Sequence, residues 1–366
     1  MVSTEQRRSS TNRCLRELMF SHLLQSLAAI SLSRTRFVVM RGILCVVVVL
    51  VALPRFDMND LGVSAVTGDV TTAVSFAHGA QTNSSPDVRQ YTALVQFFRG
   101  EQPQEIPAAP FAYRMLIPFA ASLLPASPLT AIDLINLFVL VLCVLCVDAL
   151  LAELRMSYVE RGIGMTLFAV SFPVFYYGAT GRVDAGGILL MLVIMYAHTA
   201  KNQTVLWTAL VLAPAAKETT VIAVLYCLVM ELREPGMHAR RSAVLMVAVY
   251  VAATVLVRKI SPVGAAHVWS PNMTDVMTNL VRPRAYISSV LAFGPPGVLA
   301  LLELIKGAKD TNESFRSACS VAVAASLLTW AYSFVAAYTD GRFVWLSYPF
   351  LIPLAVLRVR RLITSA

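Results

Sequence analysis

Apolar runs of helix length recur along most of this chain: 129 to 152, 163 to 180, 185 to 200, 203 to 216, 219 to 232, 242 to 257, 287 to 305, 317 to 338 and 343 to 357, after a first run, GILCVVVVLVALP, that follows Arg41. In lipid, such a run has no water to satisfy its backbone N–H and C=O groups, so it must satisfy them internally, as a helix does. The fold class this predicts is an all-α polytopic membrane protein of about ten transmembrane helices, at roughly 20 apolar residues per span. Composition agrees: the 366 residues are 57% hydrophobic and 14% charged, against about 45–50% and about 25% in soluble domains. A soluble enzyme, a disordered chain and a disulfide-stapled secreted domain are excluded.

The formal net charge of +9 reports orientation rather than a nucleic-acid partner, because Lys and Arg concentrate on the cytoplasmic side of membrane proteins. Six cysteines lie mostly inside apolar runs, where a thiol packs as a small hydrophobe. Cys143 and Cys146 form one C-x-x-C in the middle of a span, without the second pair a zinc or redox site would bring. The five histidines are scattered, and no metal ligand is assigned.

Residues 1–37 form a basic, cytoplasmic N-terminal tail, with LRELMFSHLLQSLAAISL suited to lie as an amphipathic helix on an anionic leaflet. Residues 38–366 form a single transmembrane domain. Its first span is a helix rather than a signal peptide, since the basic region before it is too long and no small-residue cleavage site follows. Residues 55–128 make a large first extracytoplasmic loop with juxtamembrane helices. Within it, PFAYRMLIPFAASLLP (110 to 125) is short, carries Arg114 and is punctuated by prolines. If this segment does not cross, 19 of the 30 Lys and Arg residues fall inside and 11 outside, which favours N-in, C-in with ten helices. The spans 203 to 216 and 219 to 232 are short, and meet at Lys217-Glu218 as a candidate broken pair.

In this topology the charges near helix ends share the outer face: Asp87, Arg114, Arg182, Asp184, Lys217, Glu218, Asp340 and Arg342. Ionisable groups at the edge of a span are costly, and mark either a substrate path or paired structural sites. Two arrangements satisfy the pattern. The charges pair locally, Arg182 with Asp184, Lys217 with Glu218 and Asp340 with Arg342, or they converge on one polar, cation-rich outer cavity suited to an anionic ligand.

Asp87 is the preferred general base, because it opens SPDVRQYTALVQFF, an interfacial amphipathic stretch with Tyr91, Leu94, Phe97 and Phe98 at helical spacing. Asp57 and Asp60 remain rivals, and a plain helix N-cap is the structural alternative for Asp87.

The order D-x-x-x-Y (Asp87, Tyr91), F-x-Y-R-x-L-x-P (Phe111, Tyr113, Arg114, Leu116, Pro118), G-R-x-D (Gly181, Arg182, Asp184) and K-E-T (Lys217, Glu218, Thr219) resembles polytopic GT-C glycosyltransferases over about residues 40–235. The resemblance implies transfer of a sugar from a polyprenyl-phosphate donor to a glycan, lipid or protein acceptor outside the cytoplasm of a bacterial inner membrane. It places Asp87 near the acceptor. It gives Arg114, Arg182 and Lys217, with Arg342, the lipid phosphate, and puts Tyr113, Asp184 and Glu218 among the substrate-binding groups. The acidic doublet of many members is missing from the first loop, so a divalent cation is an open cofactor with no ligands named. A multi-pass transporter or lipid flippase is the rival reading, although no internal repeat is visible and the charges sit at one face rather than the midplane.

Overall fold

The computed structural model describes residues 32–56, 86–103, 106–234, 236–264, 271–306, 313–336 and 339–364. Most of the expected tail and the rival aspartates Asp57 and Asp60 lie outside the described residues. Among those described, the chain forms 15 α-helices and no sheet, and five helices are long and apolar enough to cross a membrane.

The first of these, α1 (Arg34–Ala52), begins inside the expected tail, where Ser33 caps it by accepting from the Arg36 amide. Two peripheral helices follow, α2 (Pro86–Phe98) and α3 (Leu116–Ser122), with a 3-10 turn at Phe111–Tyr113 between them. Seven residues of α-helix extend only about 10 Å, so the 110 to 125 segment does not span. The long α4 (Pro128–Glu153) starts from Ser127 with Pro128 in its first turn, where a missing N–H costs nothing.

The expected 163 to 180 span is two helices, α5 (Tyr158–Ala169), opened by a Ser157/Glu160 capping box, and α6 (Phe172–Tyr177), begun anew by Pro173. Then come α7 (Asp184–Thr199), α8 (Gln203–Ala216), α9 (Val221–Arg233) and α10 (Met237–Ile260). The short α11 (Met273–Val281) precedes α12 (Pro283–Lys306), which kinks at Gly294-Pro295-Pro296. The chain closes with α13 (Glu313–Ala336), α14 (Arg342–Trp345) and α15 (Tyr348–Thr364).

Burial separates the roles of these helices. In α4 and α7, apolar on every side, Ile132, Leu140, Leu150, Ile188, Met191 and Ile194 are buried, and the two pack together in the interior. In α1 and α10 the outward residues Val39, Ile43, Val244 and Leu256 are exposed, an apolar perimeter of the kind lipid covers.

Ion pairs show which helix ends meet. At one end Asp148 of α4 holds Arg41 of α1 at 3.2 Å and Arg161 of α5 at 2.7 Å. Arg360 of α15 reaches Glu160 at 2.7 Å, Arg361 reaches Glu303 of α12 at 3.1 Å, and His198 of α7 meets Glu231 of α9 at 3.2 Å. At the opposite pole Asp87 of α2, Arg114 after the 111–113 turn, Asp184 at the start of α7, Lys217 and Glu218 after α8, and Arg342 of α14 come together. The helices α8 and α9 are therefore an antiparallel hairpin that reverses at Lys217, rather than the two halves of one broken span. With 14 residues α8 rises about 21 Å, short of a hydrocarbon core of about 30 Å. The α3 helix and the 111–113 turn pack against α8.

Candidate functional site

The eight charges read from the sequence meet at this pole, but two of the three expected local pairs are replaced by pairs between distant segments. Lys217 pairs with Asp184 instead of its neighbour Glu218. Lys217 takes an extended backbone (φ −169°, ψ 138°) at the end of α8, which turns its side chain back along α7. There Gly187 makes room: a Cβ at that position would stand 3.1 Å from the Cβ of Lys217. Both members of the pair are buried, with side chains 6% and 4% exposed.

Glu218, freed from Lys217, binds Arg114 side-on along one guanidinium edge, with Arg114 Nε donating to Oε2 at 2.8 Å and Nη2 donating to Oε1. The same guanidinium donates to the Tyr91 hydroxyl at 2.7 Å, tying α2 to the 111–113 turn and the hairpin tip. Glu218 is 41% exposed while Arg114 is 3% exposed, so the carboxylate is the open member. Behind it, Tyr250 of α10 donates to the Glu218 carbonyl at 3.0 Å.

Asp87 accepts from Arg342 Nη1 at 2.5 Å. Arg342 is also held by Asp340, whose Oδ1 accepts from the Arg342 amide at 2.9 Å, so one of the three local pairs considered above does form. The Asp87 carboxylate is therefore bound to a distant cation. Burial pushes the carboxyl up, but Arg342, with Arg182 and Arg114 nearby, outweighs burial and holds it below its ordinary value. It is ionised at neutral pH. On α2 it is Val88, Tyr91, Leu94 and Val95 that face the bundle, and Phe97 that stays exposed.

Arg182 is placed by its backbone. Gly181 adopts φ 65°, a conformation open to glycine, and donates its amide to Asp133 Oδ1 of α4 at 2.6 Å. One turn further along α4, Asn136 donates to the Arg182 carbonyl at 2.5 Å. The loop is pinned on both sides, while the buried Arg182 Nε has no hydrogen-bond partner among the described residues. Tyr113 stands apart from the ion pairs: its ring lies beneath Arg258 of α10, 5.5 Å from the guanidinium.

The named charges comprise four acids and four bases, so they balance, and the expectation of a cation-rich cavity does not follow from them. Further cations at this pole are residues the sequence reading passed over. Arg55, buried in the 3-10 turn Leu53–Arg55 that follows α1, lies 4.5 Å from the centroid of the Tyr176 ring of α6. Arg284 of α12 lies 5.5 Å from the same ring and donates to its hydroxyl. Arg55 is an electrostatic neighbour of both Arg182 and Arg284. The signal was available: Arg55 follows the first apolar run directly, and Arg284 opens a later one, the same position at an outer helix end that singled out the others.

Cys143 and Cys146 are buried in α4, and among the described residues no group of three His, Cys, Asp or Glu side chains is set to hold a metal ion. Chemically, the pole offers an ionised carboxylate at Asp87, a more open one at Glu218, and the Arg55 and Arg284 guanidinium groups against the Tyr176 ring. No family model, curated protein or solved structure matches the chain.

Proposed function

We propose that this chain is a membrane glycosyltransferase of GT-C type that takes a sugar from a polyprenyl-phosphate donor. The acceptor is an extracytoplasmic glycan, lipid or protein. Ten helical passes, α1, α4, α5 with α6, α7, α8, α9, α10, α12, α13 and α15, carry it through a bacterial inner membrane with both termini in the cytoplasm. The distribution of basic residues supports that orientation, since Arg34, Arg41, Arg161, Lys201, Arg240 and Arg360 belong to the other pole.

The observation that carries the reading is the setting of Asp87. An ionised carboxylate on a peripheral helix is held at 2.5 Å by Arg342 and lies close to Arg182 and Arg114. A base must be deprotonated to accept a proton, and neighbouring cations keep it so. In the reaction, Asp87 takes the proton of the acceptor hydroxyl as that oxygen attacks the anomeric carbon. The bond from this carbon to the donor phosphate oxygen breaks, and its electron pair leaves on the polyprenyl phosphate. Guanidinium groups stabilise the charge that develops there. Because the prenyl tail stays in lipid, phosphate and base must both lie near the headgroup plane, which matches a site at the helix ends.

The test is the product. With Asp87→Asn present in the membrane at the wild-type level, the glycosylated product is expected to disappear; a product that persists unchanged removes this assignment. A chain that moved a lipid instead would keep binding its cargo yet form no glycosidic bond in a reconstituted assay with purified polyprenyl-phosphate sugar.

A further inference from the structure

We propose that Asn279, together with Ser288, is a positioning residue for the base: the two fix the 339–341 turn and thereby aim Arg342 at Asp87. The inference rests on the assignment of Asp87 made above, and adds the device that holds its cation in place.

The docking of α11 is unusual. A short helix at the edge of a bundle ordinarily turns its apolar residues inward, yet Met273, Met277, Leu280 and Val281 of α11 are exposed, and the residue it buries is Asn279. Apolar contact is non-directional, whereas a buried amide is satisfied only where its partners stand at the right distance and angle. Asn279 has such partners on two segments. Its Nδ2 donates to the Phe334 carbonyl in the last turn of α13 at 3.1 Å, and its Oδ1 accepts from the Thr339 amide at 3.1 Å. The helix is thus fastened to the chain immediately before Asp340.

Other groups hold the same turn. The Thr339 hydroxyl lies 3.0 Å from that of Ser333, and the Thr339 carbonyl accepts from Arg282, which follows α11. The Gly341 amide donates to Ser288 Oγ of α12 at 3.0 Å, while the Ser288 hydroxyl donates to the Arg284 carbonyl. Gly341 lies so close against the Ser288 carbonyl that a Cβ would not fit. Asn279, Ser288 and Thr339 are all buried, so a bond lost here is not readily replaced by water.

The turn delivers Arg342. Asp340 Oδ1 accepts from the Arg342 amide at 2.9 Å and lies 3.8 Å from its Nε, and Arg342 Nη1 then reaches Asp87 at 2.5 Å. A long side chain gives up rotamer freedom to stay in one place. Here the backbone that carries it is tied at 339 and at 341, on either side of Asp340.

The experiment uses the full-length protein in lipid nanodiscs. Asn279→Ala and Ser288→Ala are made alone and with Asp87→Asn, and thermal midpoints at neutral pH and turnover across pH are measured. The drop in midpoint that Asp87→Asn causes in the wild type is expected to shrink to about half or less in both backgrounds, because Arg342 is no longer held on Asp87. Turnover per folded molecule should fall about tenfold. Its acid limb should move up in pH, since burial then raises the Asp87 carboxyl against Arg182 and Arg114 alone, with the Tyr91 hydroxyl also close. Ser288→Ala is the gentler change should Asn279→Ala fold poorly. Asp148→Asn, which weakens the remote pole, should alter neither the Asp87→Asn drop nor the acid limb. Equal drops in all backgrounds overturn the positioning role, as does an acid limb that stays in place while turnover falls; the assignment of Asp87 stands if its own variant still abolishes the product. Shrunken drops in a protein whose wild type makes no glycosylated product keep the positioning role and remove the transferase reading.

Discussion

The guanidinium of Arg342 meets the carboxylate of Asp87 at 2.5 Å across 255 residues of chain. This contact joins a peripheral helix in the first loop to the turn before the final helix, and it sets both the charge state and the direction of the proposed base. Asp87→Asn keeps the shape, can still touch Arg342, and cannot accept a proton. Turnover per molecule should fall about 10²–10⁴-fold in a product assay normalised to protein in the membrane. A fall limited to a few-fold would assign Asp87 a structural role.

Lys217 and Asp184 present the opposite case, a pair whose first expected effect is on stability. Removing one member of a buried pair leaves the other charge uncompensated, at about 3–5 kcal/mol. Asp184→Asn should therefore lower the thermal midpoint in detergent strongly. The double change Asp184→Leu with Lys217→Met removes both charges, and should recover most of the lost stability, because an apolar replacement of a buried pair is often neutral. Thermal unfolding of the two variants side by side checks this; a double variant as unstable as the single one would show that the hairpin tip needs the pair itself.

The sequence carried the all-helical class and the convergence of Asp87, Arg114, Asp184, Lys217 and Arg342, because apolar runs and charges at their ends are local signals. The pairing was not legible. Nothing in K-E-T says that Lys217 turns back over Gly187 to Asp184 while Glu218 turns to Arg114; this follows from the extended backbone at Lys217 and the space beside a glycine on another helix. Nor was the break at Val170-Ser171, since VSFP reads as a continuous apolar run until Pro173 begins a new helix. Arg55 and Arg284 were visible as outer charges, but their common contact with Tyr176 depends on α1, α6 and α12 packing together. Whether 110 to 125 crosses was answered only by the length of α3.

The charge on Asp87 also fixes a pH dependence. Burial raises its carboxyl value and Arg342, Arg182 and Arg114 lower it further than burial raises it, so the folded value lies below the unfolded one. The stabilisation is then fully present above the unfolded value of about 3.9 and is lost as pH falls through the lower folded value. The stability difference between wild type and Asp87→Asn should be constant from neutral pH to about pH 5 and shrink only below about pH 4. Thermal midpoints of both proteins across that range measure it. A difference that begins to shrink near pH 6 would mean that the cations do not control this carboxylate.

The remote pole separates stability from chemistry. Asp148 is buried in α4 between Arg41 at 3.2 Å and Arg161 at 2.7 Å, and Arg161 also stacks on Phe37, 4.5 Å from the ring. This cluster ties α1, α4 and α5 together without touching the groups around Asp87. In Asp148→Asn both guanidinium groups lose their counter-charge. Arg41, which is 38% exposed, can turn to water, whereas Arg161, 15% exposed, is held in place by its ring contacts. The cost should therefore fall near the lower end of about 3–5 kcal/mol, with a clear drop in the thermal midpoint. At a temperature where the variant remains folded, its turnover per folded molecule should stay within about twofold of wild type, because additivity holds for well-separated sites. Measuring both on one preparation is decisive: a large loss of turnover with the midpoint unchanged would tie this pole to the reaction and contradict a site confined to the outer helix ends.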